Sequence, residues 1–176
     1  MNSFYKSIGL YESLNFDIEV KQSELIESLR KITYKTNPSF ISLIPDYGIS
    51  TRFEYRGMVN QKNFTIKRRR HFFDFNIMHC IIKGSISEEN NKTLLTIEFI
   101  PFLYHFMIMV VSIVFALCIA FLASKDEKNY FILAVPFLMM IVQYFVLKGS
   151  IQRDKYDFLR ELNFITQKNN MLKNTR

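Results

Sequence analysis

Aspartate, glutamate, lysine and arginine are missing from two long stretches of this 176-residue chain, 99–124 and 130–147. Mid-stretch carboxylates and cations are the usual residues of proton and ion transport, so their absence leaves such a role without its chemistry. Cysteine is scarce too. Of the two, Cys80 and Cys118, the second falls inside the first uncharged stretch, which excludes a disulfide framework. With five glycines in all, the chain has no Gly-rich phosphate loop, and it shows neither a Ser/His/Asp order nor a zinc-protease helix. The opening residues, MNSFYKSIGLYESLNFDIEV, lack the apolar core of a secretory signal and soon turn acidic. Nothing there argues for export, and the N-terminal region is expected in the cytosol.

What is present follows from length. A hydrocarbon core of roughly 30 Å needs about 20 helical residues at about 1.5 Å rise each. Residues 102–123 read FLYHFMIMVVSIVFALCIAFLA, with His105 near one end as the only ionisable side chain beyond Tyr104 and Cys118. Residues 130–147, YFILAVPFLMMIVQYFVL, hold no ionisable group beyond tyrosine and are nearer the minimum length. A buried core helix seldom stays apolar on every face. The expected arrangement is a transmembrane helical hairpin, 101–124 and 130–148, joined by a short external loop at 125–129. That loop holds Lys125 and Lys128, whereas Lys148, Arg153, Lys155 and Arg160 follow the second span. Cations on short flanks set orientation, so both termini are expected in the cytosol.

Residues 1–100 suffice for one small folded domain. Residues 14–20 alternate apolar and polar as a half-buried strand does. Ser23 can cap a helix bearing Leu25, Ile26, Leu29 and Ile32, with Glu24 and Glu27 near its start and Arg30 and Lys31 near its end. Residues 34–51 contain two prolines and a glycine and read as irregular. Strands are then expected around Phe53 to Val59, Phe64 to Ile66, Phe75 to Ile86 and Thr93 to Phe99, with a turn at Glu88 to Asn91. Pro101 suits the first position of the following helix. The sum is an α+β fold: a cytosolic antiparallel β-meander covered by one helix, a transmembrane hairpin, then a C-terminal amphipathic helix. That last helix, within 149–176, places Ile151, Phe158, Leu159, Leu162 and Ile165 on one side. Its stripe is expected to dock on the sheet, with the headgroup layer or a partner protein as alternatives, and the end after Lys168 to be mobile.

The pattern Phe53-x-x-x-Gly57-x-Val59, Phe64-x-Ile66-x-Arg68 and Ile82-x-Gly84-x-Ile86, followed by a hairpin, resembles small uncharacterised bacterial two-transmembrane proteins. The likeness covers about half the chain. It implies a bacterial membrane protein and carries no site residue with it. High Asn, Lys, Ile and Phe with few Ala and Gly also suits a bacterium with an AT-rich genome.

The sharpest local feature is the basic run Lys67-Arg68-Arg69-Arg70-His71. These cations are candidates for anionic headgroup contact, each contributing about 1 kcal/mol near the leaflet. The plainer reading, slightly favoured, is a charged strand end guarding an exposed edge. Net charge of +7 admits nucleic acid, but no recognition motif accompanies the run, and none is expected as a partner. His79 and Cys80 are neighbours on a strand and point to opposite faces, which is poor chelating geometry. No metal and no cofactor are expected. Ser112, Ala116, Ala120 and Ser124 recur every fourth residue, a small-residue stripe that lets helices approach closely. Gln143 is expected to face that stripe near Ser112. The resulting expectation is a bacterial inner-membrane protein whose partners are the bilayer and either another protein or its own copy. Its role is interaction or accessory work and not enzymatic. The alternative is a sensor of anionic headgroups or a small ligand through the cytosolic domain.

Overall fold

The computed structural model describes residues 2–37, 45–70, 79–89, 92–127 and 134–174. The chain opens with a short helix α1, Asn2–Ser7. Gly9 ends it in the left-handed region (φ 69°), where Leu10 N–H reaches Tyr5 O at 2.8 Å and Gly9 N–H reaches Lys6 O at 3.2 Å. Both bonds satisfy carbonyls that a helix end leaves open. Strand β1, Glu12–Ile18, and helix α2, Gln22–Ile32, follow. The N-cap of α2 is Lys21, without a side-chain cap bond, and not Ser23. Leu25, Ile26 and Leu29 are its buried face. A three-residue strand β2, Thr33–Lys35, leaves the helix directly. After a single 3₁₀ turn at Asp46–Gly48 come β3, Tyr55–Val59, β4, Asn63–Arg68, β5, Cys80–Glu89, and β6, Lys92–Pro101.

The fold is α+β with one six-stranded sheet in the order β1-β6-β5-β4-β3-β2. The expected meander is present from β3 to β6, but the sheet is mixed and not purely antiparallel. β2 pairs parallel with β3, and β1 closes the far edge against β6. The connection through α2 runs from one sheet edge to the other, which is why the first two strands never touch. Residues 75–78 of the expected fourth strand, and the turn residues Asn90 and Asn91, lie outside the described residues. So does His71.

Side chains alternate across the sheet as the pleat requires. Phe64 and Ile66, Ile82 and Ile86, and Leu95, Ile97 and Phe99 make one buried face. Phe64 pairs with Gly84, and a Cβ at Gly84 would overlap the Phe64 ring, so the missing side chain is the seat of that ring. The other face carries Ser13, Asn15, Lys83, Ser85 and Ser87, all exposed.

Pro101 is the last residue of β6, paired with Cys80, and not the first of the next helix. Helix α3, Leu103–Glu127, begins two residues later. It continues through residues 125–127, which were expected in the loop. Helix α4, Ala134–Asn174, is one uninterrupted helix of 41 residues. The expected break after the second apolar run is absent, and the stretch after Lys168 is helical to Asn174. Both α3 and the first part of α4 are long and apolar enough to cross a membrane. Their apolar side chains stand outward, with Phe115 67% and Leu138 66% exposed. The second half of α4 packs on the buried face of the sheet beside α2, the docking expected of its apolar stripe. Ile151, Phe158, Leu162 and Ile165 are all buried there. Phe158 meets the rings of Tyr55, Phe64 and Phe99, at centroid distances of 5.8, 5.9 and 6.3 Å.

Candidate functional site

Chemistry-bearing side chains collect where the α3 end of the sheet meets the middle of α4. Asp154 lies on the buried stripe of α4, one turn from Phe158, and is 1% exposed. Its Oδ1 is 3.0 Å from His79 Nδ1, and its Oδ2 accepts the Cys80 backbone N–H at 2.6 Å. One carboxylate thus holds the start of β5, satisfying groups that burial would otherwise penalise. Burial, followed by the Asp154 charge, pushes the Cys80 thiol well above its ordinary value. Reactive thiols sit in electropositive, accessible surroundings, and Cys80 has neither.

Two further pairs flank this contact. Asp157, one turn on, pairs with Arg68 at the end of β4 and lies 3.7 Å from Arg160. Lys155 meets Glu12 of β1 at 2.5 Å, and Gln152 donates to the same carboxylate. Strands β1, β4 and β5 are therefore each tied to α4 through polar groups. Tyr55 lies beneath them, its hydroxyl raised above the ordinary value by burial and by nearby Glu161.

The basic run does not form a continuous cationic patch. Lys67 lies over the Phe102 ring at 4.8 Å, and burial lowers its pKa. Arg68 pairs with Asp157. Arg69, 4% exposed, donates to Ile49 O at 2.9 Å. Arg70 is the exposed residue of the four, and its backbone N–H is held by Asp46 Oδ2 at 3.1 Å. Arg56 also pairs with Asp46, which ties the 3₁₀ turn to this sheet edge.

The small-residue stripe does meet α4. Gln143 Nε2 donates to Ser112 Oγ at 3.1 Å, and Ser112 Oγ lies 2.9 Å from Met109 O. Ala120 is buried and Ala116 half-buried. At the base of these helices α1 fills the corner. Tyr5 stands edge-on to Phe106 at 5.4 Å, and Tyr144 donates its hydroxyl to Ile8 O at 3.0 Å. Sequence reasoning missed Asp154, although a carboxylate placed between Ile151 and Phe158 on an apolar stripe is a readable signal. Its partner His79 lies 75 residues away, and no local pattern connects them.

Among the described residues, no cluster of three or more His, Cys, Asp or Glu side chains is placed to hold a metal ion. The arrangement joins elements. Its carboxylates are engaged with neighbouring donors. In comparisons with protein-family models, curated proteins and solved structures, the chain matches none.

Proposed function

We propose that this chain is a small integral protein of the bacterial cytoplasmic membrane, of the two-span kind it resembles, acting by binding and not by catalysis. A helical hairpin formed by α3 and the first part of α4 anchors it. Both termini and the α+β domain lie on the cytosolic side, with the connection from α3 to α4 on the outer side. The greater number of cations after the second span than between the spans supports this orientation.

One observation carries the reading. α4 passes unbroken from an apolar, outward-facing segment into the core of the domain, where Asp154, Asp157 and Lys155 fasten it to three strands. The polar groups a catalyst would need are used to hold the domain rigidly on its anchor. What remains open is a polar sheet face held at a fixed height and angle, which suits interaction or accessory work. Lipid headgroup sensing through the basic run draws less support, because three of its four cations are engaged within the fold.

Reporters fused to either end test the placement: a cytosol-dependent fluorophore should be bright at both. Periplasmic reporter activity at both ends with dark fluorophores would overturn it. Crosslinked pull-downs from native membrane test the role. A stoichiometric protein partner should be recovered with the wild type and lost when Lys83→Glu and Glu98→Lys reverse charges on the open face. Turnover of a substrate by the purified chain, or a pull-down without any partner, would count against binding work.

A further inference from the structure

We propose that the groove between α2 and the β3–β4 hairpin binds a small soluble ligand bearing phosphate groups, with Arg30 as the anchoring cation. The groove consists of two concavities, of about 660 and 480 Å³, that share Arg30. Each falls within the range of small-molecule sites.

Arg30 is the reason to expect an anion. Its Nε donates to Val59 O at 3.2 Å, which fixes the plane of the guanidinium against β3. Among the described residues no carboxylate pairs with its remaining N–H groups, whereas Arg56, Arg68 and Arg160 each face an aspartate. Glu27, the acid nearest in sequence on its helix, bonds Lys31 at 2.7 Å instead, which lowers the pKa of that carboxyl. A guanidinium held by one nitrogen and open at the others matches two phosphate oxygens, and less of its rotamer freedom is left to lose on binding.

The surroundings agree. The smaller concavity is lined by Lys35, Thr33, Asn60 and the Gly57–Val59 stretch, with no acidic residue among its described lining. The larger adds Lys21 and Lys62, opposed by Glu88 and by Glu27, whose carboxylate is engaged with Lys31, and Ile26 supplies an apolar wall. The first turn of α2, whose N-cap Lys21 makes no side-chain cap bond, opens on this same part of the groove.

Position argues for a soluble ligand over a lipid headgroup. The rung joining Val59, Phe64, Gly84 and Ile97 stands four residues from Pro101, where the chain leaves the sheet for α3. Glu88 pairs with Thr93, eight residues from it. At about 3.3 Å per residue these levels are about 13 and 26 Å from the start of the anchor. A headgroup layer is only about 5–8 Å deep. The inference adds a ligand to the binding role proposed above and stands on the domain's own geometry. A failed topology reporter and a failed titration are therefore separate outcomes.

The test is titration calorimetry on the full chain in neutral-lipid nanodiscs at low salt, with inorganic pyrophosphate and ADP as probes. Saturable binding of at least one probe with a Kd below about 1 mM is expected. Arg30→Gln should weaken it about tenfold or more, and Lys35→Gln by a smaller factor. Lys6→Gln, on the exposed side of α1 and outside both concavities, should leave it unchanged. Lys35 is exposed, so its variant keeps the test decisive even where Arg30→Gln impairs folding. No saturation by 5 mM on that scale, equal binding by both groove variants, or an equal loss in Lys6→Gln would overturn the proposal. So would displacement of the probe by anionic lipid in the nanodisc, which would assign the site to headgroups.

Discussion

Asp154 occupies a core position on an amphipathic stripe and spends both its oxygens on the start of β5. Replacing it with alanine would leave the Cys80 N–H and the His79 ring facing a void. Breaking a buried charged contact in this way costs about 3–5 kcal/mol. Asp157→Ala removes a partly buried pair at the margin of this contact and should cost about 1–2 kcal/mol. The melting temperature of the full chain in detergent should therefore fall much further for Asp154→Ala, and equal falls would contradict the clamp. Alkaline titration gives a second measurement. The Cys80 thiol is raised in the folded state, so above about pH 9 the unfolded chain releases a proton that the folded one keeps. Stability drops as pH rises through this window, with a slope of up to about 1.4 kcal/mol per pH unit. Tyr55 adds to the fall above pH 10, and Lys67, depressed by burial, opposes it below about 10.5. Cys80→Ala should show a shallower loss between pH 9 and 10, and an unchanged slope would refute the assignment. In the sequence, Asp154 is visible as a misfit on its stripe, and the reach of His79 is not. Pairings across 75 residues leave no periodic trace.

Strand patterns were the more legible part at the level of elements, because burial on one face imposes period two on the residues. β4 and β6 can be read directly from Phe64 and Ile66 and from Leu95, Ile97 and Phe99. β2 cannot, since three residues are too few to alternate and its parallel partner is set by the crossover through α2. The place of β1 beside β6 is equally hidden, being a choice of neighbour and not of local conformation. Gly84 is a case where the pattern contains the answer without explaining it. Its apolar neighbours Ile82 and Ile86 mark a core-facing position, and only the structure shows Phe64 lying over it. Gly84→Ala should destabilise the chain by about 1–3 kcal/mol through overpacking. Adding Phe64→Leu should recover part of the loss, because the smaller side chain yields the space. A neutral Gly84→Ala would show that the ring does not rest there.

Across the whole molecule, the chief departure from expectation is that two helices read separately are one. Lys148, Gly149 and Ser150 interrupt the hydropathy and not the backbone, since the helix is held on one side by α3 and on the other by the sheet. This continuity fixes a rotational phase between two contacts: Gln143 toward Ser112, and Asp154 with Phe158 toward the sheet. Each helical residue turns the chain by about 100°, so two alanines inserted after Lys148 rotate one contact against the other by about 200°. The link from β6 to α3 has only Phe102 to spare, and it cannot absorb such a turn. Both contacts can be followed in one chain. Cysteines at 112 and 143, in a background of Cys80→Ala and Cys118→Ala, should crosslink within a chain through a short reagent. Domain melting reports on the docked half. The insertion should abolish the crosslink or lower the melting temperature sharply, whereas the same insertion after Gln167, beyond the buried stripe, should do neither. Retention of both signals after the first insertion would mean that α4 bends freely near Gly149, and the domain would then ride on the apolar helices as a tethered body and not as a rigid one.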